Sequence, residues 1–109
     1  MRYLTALPLL LIAALLEAGG DALVRLGLHA SPIPRRVLFL GAGALILFAY
    51  GCLVNAPSWD FGRLLGLYVV LFFLVAQAIN WLVFGQPPTR AIWVGGLLIL
   101  AGGAIVSAG

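Results

Sequence analysis

Glu17, Asp21 and Arg25 are spaced four residues apart in an otherwise apolar stretch. On an α-helix that spacing puts all three on one face, each one turn above the last. They are the only charged residues of the chain that fall well inside an apolar run. A carboxylate at membrane depth is costly unless it is protonated, paired or wetted. Asp21 and Arg25 can pair across one turn, and Arg25 is close enough to the helix end to snorkel. Glu17 lies deepest, with its nearest cation in the chain two turns away. A carboxyl group so placed can hold either a proton or a cation, which is what proton-coupled export of a cation requires. The structural alternative is a hydrogen bond from Glu17 to a neighbouring helix, with Asp21 serving only to hold Arg25.

This chemistry presupposes a membrane, and the composition supplies one. The chain has 109 residues, of which 64% are hydrophobic and 8% charged, with a mean hydropathy of +1.19. Soluble domains carry about 25% charged residues. Disorder needs low hydrophobicity and high charge. A disulfide scaffold is excluded because Cys52 is the only cysteine. Four helical spans of roughly 20 residues use most of the chain and leave only short connections. Prolines and charges divide it into spans over about 4–28, 35–54, 64–84 and 91–108, one four-helix domain over residues 1–109. Helices are required because lipid offers no hydrogen bonds to an open sheet edge. The short turns make consecutive helices antiparallel neighbours. Arg2 and Leu4–Leu16 could read as a signal peptide, but the apolar pattern continues past Glu17 to Leu28 and suits a full span.

The formal net charge is +3, and every basic residue is arginine. The arginines are scattered at span ends, with no stripe suited to nucleic acid. Arg2 and Arg63 fall on one side, Arg35, Arg36 and Arg90 on the other, with Arg25 near the boundary. This bias puts the first and third loops in the cytoplasm, and it is small enough to suit a chain inserted both ways. Trp59, Trp81 and Trp93 are natural interfacial anchors. Gln77 and Asn80 in the third span suit interhelical hydrogen bonds first and lining of a path second, and Tyr50 and Cys52 suit packing or the interface. His29 has no partners at ligand spacing, so no metal site is expected. No phosphate loop or catalytic triad is present, so enzymatic activity and cofactors are not expected.

In the fourth span Gly95 and Gly102 are seven residues apart, as are Gly96 and Gly103. That repeat keeps small residues on one face, where membrane helices pack closely. The span has no ionisable group and reads as a dimer seam. Four helices are also too few to enclose a polar cavity and shield it from lipid, so a homodimer is expected.

Together these features resemble the small multidrug resistance family of the drug/metabolite transporter superfamily. Ala14-Leu15-Leu16-Glu17-Ala18-Gly19-Gly20 is similar to the family's Ala-x-x-Glu-x-x-Gly core. Arg25 falls where many members carry a basic residue. Trp81-Leu82-Val83-Phe84-Gly85-Gln86 is similar to the end of the third span, and Gly95 to Gly102 to the fourth-span dimer motif. The resemblance implies an antiparallel, dual-topology homodimer in the cell inner membrane. The two copies of Glu17 would share a site that alternates between protons and small organic cations. Tyr68 would take the place of a substrate-facing aromatic, and Trp81 would lie near aromatic contacts of the dimer. Substrate and proton binding would thus fall to Glu17, Asp21, Tyr68 and Trp81. Protons would be the coupling ion.

The departures are specific. Typical exporters carry Tyr-Ala-x-Trp-x-Gly in the third span, where this chain reads Leu65-Gly66-Leu67-Tyr68-Val69-Val70. Leu65 replaces the tyrosine that would hydrogen-bond the glutamate, and Val70 replaces the glycine. Asp21 stands where a small or hydroxyl residue is typical. The loop from Asn55-Ala56-Pro57 through Gly62-Arg63 is more similar to the divergent YnfA-like branch. The last two spans are also similar to the lipid-carrier flippase subunits of the superfamily, so a non-catalytic partner subunit is the alternative. An antiparallel ion channel of similar size is a third.

Overall fold

The computed structural model describes residues 3–58 and 60–109, with side chains from residue 6 onward. Arg2 and Trp59, an orienting charge and an expected anchor, lie outside the described residues. Four helices follow in chain order: α1 (Tyr3–Leu28), α2 (Ile33–Val54), α3 (Phe61–Leu82) and α4 (Arg90–Ala108). All four are long and apolar enough to cross a bilayer, and no strand occurs among the described residues. The described residues are thus all-α, with four helices able to cross a membrane.

The helix ends differ from the expected boundaries for local reasons. α2 begins two residues earlier, at Ile33, because Pro34 sits in its first turn, where a missing N–H costs nothing. α3 begins at Phe61 because Asp60 caps it: the Arg63 N–H donates to Asp60 Oδ1 at 2.7 Å. Asp60→Ala should lower thermal stability by about 1 kcal/mol, measured as a shift of the unfolding transition. Asp60→Asn, which keeps the capping oxygen, should not. α3 stops at Leu82, two residues early. Gly85, at φ 67°, reverses the chain so that the N–H groups of Gly85 and Gln86 return to the carbonyls of Trp81 and Asn80. Thr89 caps α4, accepting from the Ile92 N–H at 3.3 Å.

The helices lie in the spatial order α2–α1–α3–α4, their backbones close only between neighbours in that row. The Cα envelope measures 50 × 35 × 18 Å, thin in one direction as a row demands. α1 is the best-buried helix, with α2 and α3 packed on either side. Its Ala6, Leu10, Ala13, Ala14 and Ala18 are in the core with Leu64, Tyr68 and Val75 of α3. α1 and α2 approach closely where Gly20 meets Leu47 and Gly43 meets Val24. A Cβ at either glycine would come within 2.8 Å of those side chains.

The glycine stripes of α4 do different jobs. Gly96 and Gly103 are buried against α3, where added Cβ atoms would stand 2.9 Å from Phe73 and 2.0 Å from Val70. They form the α3–α4 seam within one chain. Gly95 and Gly102, one residue earlier and so about 100° around the helix, have nothing within 4 Å. Only that second stripe is free for another chain.

Candidate functional site

Glu17 lies near the middle of α1, about 16 Å from its Leu28 end at 1.5 Å per residue. It is half-buried and faces α3. The Tyr68 hydroxyl donates to Glu17 Oε1 at 2.7 Å and lies 3.4 Å from the Ala13 carbonyl. Tyr68 is 4% exposed. Its ring stacks on Phe72 at 6.1 Å and lies 5.7 Å from the ring of Tyr50, which α2 contributes from the other side of α1. The carboxylate therefore meets a neutral hydroxyl, held in place by aromatic packing. This is the interhelical contact that a structural role for Glu17 predicts, and it leaves the acid without a cationic partner among the described residues.

Leu65 offers no hydroxyl to the glutamate, and the hydrogen bond is made from Tyr68, one turn further along α3. Tyr68 is thus not exposed as a substrate-facing aromatic; it is the donor that positions Glu17. Tyr68→Phe keeps the ring packing and removes the hydroxyl. It should cost about 1 kcal/mol of stability, whereas Tyr68→Leu should also loosen the α1–α3 contact. Thermal unfolding of the two variants checks this.

Asp21 and Arg25 continue the same face towards the α1 terminus, but they do not form the expected ion pair. The Arg25 guanidinium instead lies over the ring of Phe84, 5.5 Å from its centroid. Phe84, two residues past the end of α3, lies over the last turn of α1. Asp21 is left without a charged partner. Both line a crevice of about 410 Å³ between α1 and α3, together with Gln77, Asn80, Phe84 and Gln86. The Asn80 Nδ2 donates to the Gln86 carbonyl at 3.4 Å, tying the turn to the helix. The Gln77 Oε1 is buried with no hydrogen-bond partner.

Trp81 is not brought to Glu17. It stands thirteen residues after Tyr68, about 220° around the helix, and so faces the other way. It is 54% exposed and lines a smaller, apolar cavity of about 220 Å³ between α3 and α4, with Trp93. Gln77 and Asn80, expected first for interhelical bonding and second as lining of a path, both line the α1–α3 crevice. Their i, i+3 spacing, which puts both on one face, was the available signal for a shared crevice. Tyr50 had no such signal, since its role depends on where α2 packs.

The arginines at the helix ends agree with a membrane setting. Arg35, Arg36 and Arg90 are exposed at the end where α1 and α3 finish. At the opposite end the Arg63 guanidinium donates to the Gly109 carbonyl and ties the end of α4 to the start of α3. No cluster of metal-ligating residues occurs among the described residues.

Comparison with known proteins agrees with this architecture. A family profile described as "Uncharacterised BCR, YnfA/UPF0060 family" matches residues 3–109. The chain is 34% identical over 108 residues to a UPF0060 membrane protein of Herpetosiphon aurantiacus, covering 97% of this chain and 96% of that one. It is 37% identical over 108 residues to the UPF0060 membrane protein YfjF of Bacillus subtilis, covering 97% and 94%. A UPF0060 membrane protein of Kineococcus radiotolerans is 37% identical over 109 residues, again covering 97% and 94%. No solved structure matches the chain.

Proposed function

The chain belongs to the YnfA/UPF0060 family of membrane proteins, and from that premise we propose that it is a proton-coupled exporter of small organic cations. The observation that carries this reading is the Glu17–Tyr68 hydrogen bond at mid-membrane, a carboxyl group positioned by a neutral donor. Such a group can release its proton to take up a cation and release the cation to take up a proton. Asp21 and Arg25, one and two turns further along α1, line the crevice that begins at Ala18, one residue beyond Glu17.

A homodimer supports this work. In a single row of helices, Asp21 and Arg25 are exposed on a face that lipid would otherwise contact. A second copy would cover that face, and the Gly95–Gly102 stripe offers a close-packing surface for it. Antiparallel insertion of the two copies, in the manner of the small multidrug resistance proteins, would let one site open to either side of the cell inner membrane. The proposal includes no enzymatic step and no cofactor; protons are the coupling ion.

The test is proton release. Detergent-solubilised protein in weakly buffered solution is mixed with a panel of small organic cations, and the pH is recorded. At least one cation is expected to release protons in proportion to protein. If none does, the exporter reading fails. Cysteine labelling from both sides of the membrane tests dual topology, which fails if every copy has one orientation.

A further inference from the structure

Asp21 and Arg25 pose a problem that cation export does not explain. Opposite charges at i, i+4 on a helix, acid first, are in the favourable order and within reach of each other. Here they remain apart inside one crevice. Phe84 holds the guanidinium, and the carboxylate has no charged partner. A site built for a simple cation gains nothing from an arginine in its wall, because like charges repel. A salt bridge built for stability would close.

The crevice lining adds further polar groups. It includes an acceptor, the buried Gln77 Oε1 that has no partner. It also includes the Gln86 and Asn80 amides, which can donate. Phe84 adds an apolar wall that also orients the guanidinium. The volume, about 410 Å³, is that of a small-molecule site.

We infer that the α1–α3 crevice binds the head of an amphoteric solute, its cationic end at Asp21 and Gln77 and its anionic end at Arg25. This deepens the exporter reading and rests on it: the substrate carries a negative group beside the positive one. The negative group engages Arg25 as the positive group engages the acidic face of α1. A monocation would fill only half of the site.

Two sources carry this chemistry, a free amino-acid-like solute and the headgroup of phosphatidylethanolamine. Calorimetry on the purified protein in detergent separates them. The first arm compares leucine with leucine methyl ester, which has the same ammonium group but no carboxylate. The second compares dihexanoyl phosphatidylethanolamine with dihexanoyl phosphatidylglycerol, which lacks the ammonium group. Proton release is recorded in the same titrations.

In at least one arm the amphoteric probe should bind about tenfold more tightly than its partner, the contribution of a charge-assisted hydrogen bond. A preference in the first arm alone identifies the free solute; one in the second alone identifies the lipid headgroup. Arg25→Gln should erase the preference for leucine over its ester by weakening only leucine. Arg25→Lys, which keeps the charge, should retain most of it and controls for folding. Asp21→Asn should weaken every ammonium-bearing probe.

The inference is overturned if neither amphoteric probe is preferred, or if Arg25→Gln weakens the binding of no preferred amphoteric probe. Failure here is distinct from failure of the exporter reading. Preference without proton release removes the antiport mechanism and leaves the binding site. Proton release without preference does the reverse.

Discussion

Glu17→Gln should abolish cation-driven proton release and lower the affinity for a cationic substrate by about 10- to 100-fold, the range of one charge-assisted interaction. The amide is nearly the same size as the carboxylic acid and can still meet the Tyr68 hydroxyl, 2.7 Å from Oε1 in the native chain. Folding should therefore survive, and loss of function would not be loss of structure. What glutamine lacks is a dissociable proton and a negative charge, the two properties on which exchange depends. Glu17→Asp is the informative companion. It keeps the acid but withdraws it by one methylene from Tyr68, so proton release should persist with weaker substrate binding. Potentiometric titration of the three proteins, with circular dichroism to verify helicity, reads this directly. Equal proton release from wild type and Glu17→Gln would remove Glu17 from the mechanism.

The second large effect concerns α4 and separates two adjacent glycines. Gly103→Val should destabilise the chain by about 2 kcal/mol or prevent its accumulation, the cost of overpacking a tight contact. The added Cβ would stand 2.0 Å from Val70 Cγ2 and 3.3 Å from Val70 Cβ. A β-branched side chain cannot swing clear, so α4 must move. Gly102→Val meets nothing within 4 Å and should leave the single chain intact. If the outward stripe joins two copies, Gly102→Val should instead shift the protein towards monomer. Thermal unfolding reads the first effect, and light scattering after size-exclusion chromatography reads the second. Val70→Ala provides an internal check. On that background Gly103→Ala should cost less than it does alone, because the two residues share one contact. Equal costs on both backgrounds would mean that α4 does not pack as described.

Much of the architecture is readable from one dimension. An apolar run of about 20 residues becomes a helix in lipid because each peptide group must be satisfied within its own segment. The four helices follow from that, and their ends miss by only a few residues. The misses are at Pro34, Asp60 and Gly85, where local capping moves the boundary. The polar face of α1 is readable for the same reason, since residues four apart share a face on any α-helix.

The partners across helices are a different matter. Leu65 and Tyr68 both lie on α3, and the sequence alone did not reveal that Tyr68 would reach Glu17. Arg25 has an acid one turn away, yet Phe84, two residues past the end of α3, holds it. Gly95 and Gly96 are equally small, yet only Gly96 is buried. The physical reason is common to all three. A strongly amphipathic helix announces which face turns inward, whereas a helix apolar nearly all round does not. The opening stripe of Glu17, Asp21 and Arg25 was therefore set by sequence as a chemical possibility. That one acid meets a tyrosine, while the other acid and the arginine stay apart in a crevice, was decided only by the rotation and order of the packed helices.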